Sequence, residues 1–303
     1  MTGEHRAVFD AEVRFANGGG LRTEGFRLDV PGPEITDDEL AALLVRHLGL
    51  LMVGEVRISN RTVVAEPHKG GRGVAAAAPG TRRLVELSHV VTDGMVTLPG
   101  WPEPRITDWL TRESSRERYA PGVEFHVGRI DMIANTGTYV DTPSHRFADG
   151  PDLTGIPLDR LADLPGLVVR VPAGTRAVDR LLLAPYEVAG RAVLLHTGWD
   201  ARFGTDGYAG PEAPYLSGDG ADWLVGAGAA LVGIDSINID DMTPAAAGER
   251  PAHSALLAAG VPIVEHLTGL DALPPTGFRF TAAPPRVAGM GTFPVRAFAV
   301  LDG

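Results

Sequence analysis

A short polar segment, Asn135 to His145, carries more chemistry than any other stretch of this chain. In it the carboxylate of Asp141 lies four residues before the imidazole of His145, with the amide of Asn135 and the phenol of Tyr139 close by. Carboxylates and imidazoles are the side chains that most often hold divalent metals and carry protons. The segment is too polar for a typical buried strand and is interrupted by a glycine and a proline. We therefore predict a polar turn that presents a reactive site.

Two later segments supply further candidate ligands. Glu265 follows the apolar run Val261–Val264, and a carboxylate in a buried strand costs several kcal/mol unless it is paired or bound to a metal. His253 can lie in the first turn of a helix. By residue type, Glu265 and His253 could form a metal site with a base together with Asp141 and His145. Their spacing in the sequence does not show whether the four side chains lie close together in the structure.

The composition narrows the class of protein and its partners. The chain has 303 residues, of which 44% are hydrophobic and 21% charged, a globular composition. Its net charge of −11, without a run of like charges, argues against nucleic acid or an anionic membrane as a partner. The absence of cysteine excludes disulfides, thiolate metal sites and a cysteine nucleophile. We find neither a signal-peptide pattern nor an apolar run long enough for a membrane span, and we predict a cytoplasmic protein.

Residues 1–66 have the pattern of a small ββαββ unit. A helix is indicated by the capping box Thr36–Glu39, in which a threonine precedes a glutamate by three residues. The predicted elements are strands 7–15 and 25–30, a helix from Thr36 to Leu48, and a hairpin of strands 53–58 and 61–65 around Ser59-Asn60.

A linker and a larger α/β unit follow. Residues 67–83 are rich in glycine, alanine and proline and lack an apolar period, which predicts a linker. Residues 84–303 mix apolar strand-like runs with helical stretches, which favours an α/β domain. The predicted elements are strands 167–171, 192–196, 230–234 and 295–300, and helices 221–227 and 253–259.

The polar segment also resembles a known motif. Its pattern Asn-Thr-Gly-Thr-Tyr-x-Asp-x-Pro-x-His is similar to the His-Thr-Gly-Thr-His-x-Asp-x-Pro-x-His motif of the cyclase family, which includes bacterial kynurenine formamidases and isatin hydrolases. The resemblance covers about residues 84–300 and not residues 1–66. It implies the family's swivelling β/β/α-like fold, a mixed sheet with helices. Further similar segments occur in the family's order: Leu87–His89, Met95–Trp101, Gly233–Asp240, Gly260–Pro274 and Gly277–Pro285.

The resemblance implies a set of metal ligands. In the formamidases the two motif histidines and the aspartate hold one zinc, and the aspartate shares a second metal with a downstream histidine and a glutamate. Carried over, Asp141, His253 and Glu265 are the surviving ligands. Asn135 and Tyr139 stand where the two motif histidines would be, and neutral amides and phenols are poor zinc ligands. We therefore expect one divalent metal, zinc or manganese, although a metal-free form stays open.

The same resemblance suggests the remaining roles. The last histidine of the motif acts in proton transfer in the formamidases, so His145 is the expected general acid and base. Leu98 and Trp101, in the segment that resembles the family's Pro-Gly turn, are expected to line the substrate pocket. Family members form dimers or tetramers, and we accordingly expect a homodimer or homotetramer that acts on a small molecule.

Three functions are compatible with these residues. The favoured one is a hydrolase of a small amide, lactam or lactone, aromatic substrates included, that uses the single metal. The second is a metal-independent cyclase, lyase or isomerase, in which Asn135 donates a hydrogen bond to an oxyanion while Tyr139, Asp141 and His145 move protons. The third is a ligand-binding protein without catalytic activity.

Overall fold

The structure, a computed structural model, describes residues 5–48, 50, 52–65 and 82–301. Contacts divide the chain into two compact units, Met1–Pro79 and Gly80–Gly303. The predicted linker 67–83 lies outside the described residues, except for its last two positions. Among the described helices, none is both long and apolar enough to cross a membrane.

In its described residues, the smaller unit is a three-stranded antiparallel sheet with one helix. Its elements are β1 (His5–Phe15), β2 (Gly20–Val30), α1 (Asp37–His47) and β3 (Val53–Ala65), and the strand order is β2-β1-β3. Alternate side chains of β1 are buried, including Phe9 and Val13, and they pack with Leu40 and Leu44 of α1. The capping box opens α1 as predicted, because the Thr36 hydroxyl accepts from the Glu39 backbone and the Glu39 carboxylate accepts from the Thr36 backbone.

The predicted hairpin at Ser59-Asn60 is wrong, because β3 is one continuous strand and the unit is therefore ββαβ. Asn60 adopts a left-handed backbone with φ of 54°, where the register of β3 against β1 slips by one residue. Its side-chain nitrogen donates to Asp10 Oδ2 over 2.7 Å, which holds the irregularity in place. Asparagine tolerates this conformation both in turns and in β-bulges, so the dipeptide alone does not distinguish them.

The larger unit contains the remaining elements. Its strands are β4 (Arg83–Glu86), β5 (Arg105–Leu110), β6 (Val127–Asp131), β7 (Tyr139–Asp141), β8 (Leu164–Arg170), β9 (Ala177–Val178), β10 (Ala192–His196), β11 (Tyr215–Leu216), β12 (Leu231–Ile234), β13 (Ile263–Glu265), β14 (Phe278–Thr281), β15 (Thr292–Pro294) and β16 (Phe298–Leu301). Its helices are α2 (Arg112–Ser115), α3 (Arg180–Leu183), α4 (Gly218–Gly226) and α5 (Pro251–Ala258), and short 3-10 helices cover Pro143–His145, Leu158–Arg160, Trp199–Arg202, Pro244–Ala246 and Leu270–Ala272.

Within the described residues, nine strands form one mixed sheet in the order β15-β7-β13-β12-β10-β8-β14-β16-β4. The central strands β8, β10, β12 and β13 are parallel, and the strands on either side are antiparallel. Successive residues of β10 face opposite sides: Val193 and Leu195 pack under the helices, whereas Leu194 packs into the other apolar layer. The mixed sheet with helices confirms the predicted α/β class.

Candidate active site

Part of the polar segment, Tyr139–Asp141, forms a buried strand, whereas the composition predicted a polar turn. Strand β7 lies between β13 and β15, and all three of its residues are buried. In this antiparallel register Tyr139 lies opposite Glu265 and Asp141 lies opposite Thr292. Opposite side chains share a face of the sheet, so each polar group of β7 has a polar partner. The prediction failed because polar residues on the neighbouring strands offset the cost of burying the polar side chains of β7. The sequence of one segment does not reveal this pairing between strands.

Backbone constraints on both sides of β7 fix the motif. Gly137, with φ of 65°, donates its N–H to Thr97 Oγ1 over 2.8 Å, and Thr138 Oγ1 donates to the carbonyl of His266 over 2.6 Å. After β7 the chain turns into the 3-10 helix Pro143–His145 and passes close to Gly291. A Cβ atom at Gly291 would lie 2.3 Å from the backbone nitrogen of His145, so only glycine allows this approach.

His145 is held in one tautomer by a hydrogen-bond chain. Its Nδ1 lies 2.7 Å from Thr292 Oγ1, and the same hydroxyl contacts Asp141 Oδ1. A carboxylate oxygen only accepts, so the hydroxyl donates to Asp141 and accepts from the Nδ1–H of His145. In the neutral imidazole, Nε2 then carries the lone pair, which is the form required of a base.

His253 is oriented by a carboxylate at the start of α5. Asp240 accepts from the backbone nitrogens of Ala252 and His253, at 2.7 and 3.1 Å, and from His253 Nδ1 at 2.6 Å. The other ring nitrogen, Nε2, consequently lies 3.7 Å from Asp141 Oδ2 and 3.8 Å from Glu265 Oε1. A histidine with one nitrogen on a carboxylate and the other facing further ligands is typical of metal sites.

The two carboxylates that face His253 differ in their bonding. Glu265 is fully paired, because Oε1 accepts from the backbone of Ile239 and Oε2 accepts from Tyr139 Oη, each over 2.6 Å. Asp141 Oδ2 is buried and, among the described residues, has no hydrogen-bond partner. A buried carboxylate oxygen that accepts no hydrogen bond is costly and fits an atom that binds a cation.

The charge of the site also favours a cation. Burial raises the pKa of Glu265 to about 7, although the nearby His253 opposes this shift. Burial lowers the pKa of His253, but its carboxylate neighbours outweigh burial and raise the pKa to about 10. Asp141, His145 and His253 each offer a ligand atom within 4.8 Å of the others. The structure thus brings together all four residues that the sequence suggested as ligands or base, and their donors fit a divalent metal.

The family assignment follows from the comparisons with known proteins. Residues 85–241, just over half of the chain, match the family model named Cyclase. The chain belongs to the cyclase family. This confirms the resemblance inferred from the motif.

Several relatives match most of this cyclase-family chain. The kynurenine formamidase of Salinibacter ruber is 28% identical over 214 residues, which cover 71% of this chain and 95% of the relative. Cyclase-like protein 2 of Oryza sativa subsp. japonica is 29% identical over 248 residues, which cover 78% of this chain and 85% of the relative. Isatin hydrolase A from Labrenzia aggregata has the same fold, with a TM-score of 0.62 at 23% identity over 73% of this chain and 94% of its own.

The Tyr139 phenol acts as a hydrogen-bond donor to Glu265. Burial and the charge of Glu265 raise the pKa of the Tyr139 phenol well above its usual range, so the phenol stays protonated and donates to Glu265. A protonated phenol bonded to a carboxylate is not a metal ligand. Asn135 forms a side-chain hydrogen bond with Tyr139 that partly offsets this shift.

The remaining predicted site residues lie around one cavity. A cavity of about 170 Å³ is lined by Leu98, Trp101, Asn135, Tyr139, Asn238, His145, Arg146, Met242, Arg250, His253 and Glu265. A second cavity of about 350 Å³ shares Leu98, Trp101 and Met242 with the first and is otherwise largely apolar. Leu98 is buried, whereas Trp101 is half exposed, so both predicted pocket residues line the space next to the candidate ligands.

Sequence reasoning missed a buried relay behind Tyr139. Tyr208 Oη lies 2.8 Å from His266 Nδ1, and His266 Nε2 lies 3.3 Å from Tyr139 Oη. Since Tyr139 donates to Glu265, the consistent arrangement has Tyr208 donating to His266 and His266 donating to Tyr139. Burial lowers the pKa of His266 to about 3, which keeps its ring neutral. The position of His266 directly after Glu265 was the only sequence signal for this relay.

Proposed function

We propose that this protein is a hydrolase that cleaves an amide bond of a small substrate with the help of one divalent metal. The observation that carries the proposal is the buried Asp141 Oδ2, which accepts no hydrogen bond from the residues that the structure describes and faces His253 Nε2 at 3.7 Å beside Glu265. Kynurenine formamidases, by their name, act on an amide C–N bond, and this chain is an enzyme of the same hydrolase class. The proposed substrates include lactams, which are cyclic amides, and lactones, which are cyclic esters.

Asp141, His253 and Glu265 would hold the metal. Nitrogen and carboxylate oxygen donors of this kind suit zinc or manganese. When bound, a divalent ion supplies a Lewis acid that polarises the substrate carbonyl and makes water more acidic. Asp240 keeps the His253 ring in the orientation that directs Nε2 at this site.

The proton is moved by His145. Its Nε2 accepts a proton from the attacking water and returns it to the leaving nitrogen, a role that requires the Nδ1–H tautomer. Thr292 fixes that tautomer through its bonds to His145 and Asp141. Leu98 and Trp101 contribute apolar surface to the cavity, which suits the organic part of the substrate.

Metal removal tests the proposed function. A chelator should abolish hydrolysis of formanilide, a minimal aromatic amide, and addition of zinc or manganese should restore it. Circular dichroism of the stripped protein serves as the control for folding. Full activity of folded protein that has been stripped of metal would refute the proposal.

A metal-independent cyclase, lyase or isomerase is the second candidate, and the Tyr139 relay is the observation that favours it. The two candidates differ in what they expect of Tyr139→Phe. A metal hydrolase should keep its metal and lose about 10- to 100-fold in kcat/KM, because the variant removes one hydrogen bond of about 1.5–3 kcal/mol to a ligand carboxylate. Steady-state kinetics with elemental analysis measures both. A loss of about a thousandfold with the metal content unchanged would instead support Tyr139 as an acid.

A homodimer or homotetramer remains our expectation for the assembly. The hairpin of β5 and β6 supports it, because Ile106 and Ile130 lie opposite each other in that hairpin and are exposed, as is Trp109. Exposed apolar surface of this kind is typical of protein–protein interfaces. Sedimentation should show a dimer or tetramer that Trp109→Asp weakens, and a wild-type monomer at micromolar concentration would contradict the expectation.

A further inference from the structure

We propose that His266 is a positioning residue, whose ring holds the phenol of Tyr139 in the direction that donates to the candidate metal ligand Glu265. Tyr208 completes this relay by fixing the tautomer of the His266 ring. The inference rests on the proposed metal-dependent function and adds to it the residues that lie behind the metal position. His266 and Tyr208 are buried, so they act on the site through Tyr139 and not on a substrate.

The phenol of Tyr139 is the group that the relay controls. A phenolic hydroxyl has one proton and two lone pairs. The proton is donated to Glu265 Oε2 over 2.6 Å. The two other side chains that bond to this oxygen must therefore donate to it, and they are the amide of Asn135 and Nε2 of His266, which lies 3.3 Å away. Both lone pairs are thereby used, which leaves none for a second metal.

The ring of His266 can donate to Tyr139 in only one tautomer. A neutral imidazole has one nitrogen that donates and one that accepts. Tyr208 Oη lies 2.8 Å from Nδ1, and a hydroxyl that donates there places the hydrogen of the ring on Nε2, which faces Tyr139. In the other tautomer, Nε2 would present a lone pair and compete with Glu265 for the proton of Tyr139.

Backbone conformation and packing hold the relay in place. His266 has a φ of 55°, in the left-handed region that is uncommon for residues other than glycine. Its carbonyl accepts from Thr138 Oγ1 over 2.6 Å, and the carbonyl of Tyr208 accepts from Trp199 Nε1 over 2.8 Å. The ring of Phe203 packs edge-on against both rings, at centroid distances of 5.1 Å from Tyr208 and 6.2 Å from His266. These contacts restrict the rotation of both side chains.

The relay matters because it restrains the carboxylate of Glu265. Oε1 accepts from the backbone of Ile239 and Oε2 accepts from Tyr139, each over 2.6 Å, so the group is held at both oxygens. Oε1 is the oxygen that lies 3.8 Å from His253 Nε2. Residues that only orient a metal ligand typically change metal affinity by roughly 10- to 100-fold. Disrupting the relay should therefore weaken metal binding without abolishing it.

Two amide variants of His266 test the inference through zinc affinity, measured by isothermal titration of protein stripped of metal. The terminal nitrogen of glutamine corresponds in position to Nε2 and can still donate to Tyr139, whereas the shorter asparagine reaches only the Nδ1 side. We expect His266→Gln to keep the zinc dissociation constant within about threefold of wild type and His266→Asn to raise it about tenfold. An effect of the backbone alone predicts the opposite order, because asparagine tolerates positive φ better than glutamine.

A second background and a control show whether the effect passes through Tyr139. In Tyr139→Phe the two His266 variants should have the same zinc affinity, since the relay acts only through the phenol. Tyr186→Phe removes a phenolic hydroxyl from a partly buried ring outside the relay and should bind zinc like wild type. Equal affinities of the two amide variants, the reverse order, or a difference that persists without the Tyr139 hydroxyl would overturn the inference.

The tautomer of His266 is measured without a metal. Nitrogen NMR of protein labelled in its histidine rings should show hydrogen on Nε2 of His266 and none on Nδ1, and the signal is assigned by its loss in His266→Gln. Tyr208→Phe removes the donor to Nδ1 and should add a population of the other tautomer, and a spectrum that it leaves unchanged would overturn the role of Tyr208.

The spectrum also separates this inference from the proposed function. If the wild-type protein binds no zinc, the proposed function fails, and the tautomer still decides the relay. Hydrogen on Nδ1 in the wild-type protein would overturn the relay whether or not zinc binds.

Discussion

Replacing His145 with glutamine should lower kcat/KM for amide hydrolysis by about a thousandfold, within the range typical of removing a general acid–base catalyst. Glutamine can still donate a hydrogen bond toward Thr292 but cannot accept and release a proton near neutral pH. The loss should fall on kcat, because the binding surface of Leu98 and Trp101 is untouched. Steady-state kinetics with formanilide measures this effect.

Two further measurements show whether His145 acts as a base: the metal content of His145→Gln, and the activities of two variants of Thr292. If His145 is the base and not a ligand, His145→Gln should keep its metal. Thr292→Val removes the hydroxyl that fixes the imidazole tautomer and should lose activity, whereas Thr292→Ser retains the hydroxyl and should lose little. Activity of His145→Gln within tenfold of wild type would exclude His145 as the proton carrier. Loss of the metal would show that it is a ligand instead.

The second large effect is expected for Asp141→Asn. The substitution removes the negative charge and replaces one carboxylate oxygen with an amide nitrogen, which cannot coordinate the metal. Metal affinity should fall by more than the roughly 10- to 100-fold that is typical of losing a residue that only orients a ligand. Hydrolysis should fall to background, because the Lewis acid is lost. Isothermal titration with zinc measures the affinity.

Asp240→Asn provides the matched comparison. Asp240 contacts the far nitrogen of His253 and not the proposed metal position, so its variant should bind metal more weakly than wild type but more tightly than Asp141→Asn. Both substitutions remove one buried acid, so a general loss of charge would affect them equally. The reverse order of affinities would mean that Asp141 is not the central ligand.

Much of the fold could be predicted because local signals agree with the tertiary structure. Strand β10 was predicted with its observed bounds, since Ala192–His196 is an apolar run buried on both faces. The capping box likewise marks the start of α1. The errors lie where one local signal fits two structures. Ser59-Asn60 suits a turn and a bulge equally, and the register with β1 decides between them.

Some residues of the candidate site could be predicted from the sequence, and others could not. Glu265 stood out because an acid within an apolar strand needs a partner, and the motif marked Asp141 and His145. Thr292 could not be found, because nothing in the sequence shows that β15 pairs with β7 in the register that sets it opposite Asp141. The relay through His266 and Tyr208 likewise depends on tertiary packing, which joins residues 58 positions apart.

The proposed metal site is tested most directly by the metal-to-protein ratio of the purified protein, measured by elemental analysis after loading with zinc or manganese and removal of excess ion. We predict one metal per chain, bound at Asp141, His253 and Glu265, because the Tyr139 phenol donates a hydrogen bond to Glu265 and is not free to bind a second metal. Asp141→Asn should reduce the ratio toward zero. A ratio of two, or an active enzyme with a ratio of zero, would contradict it.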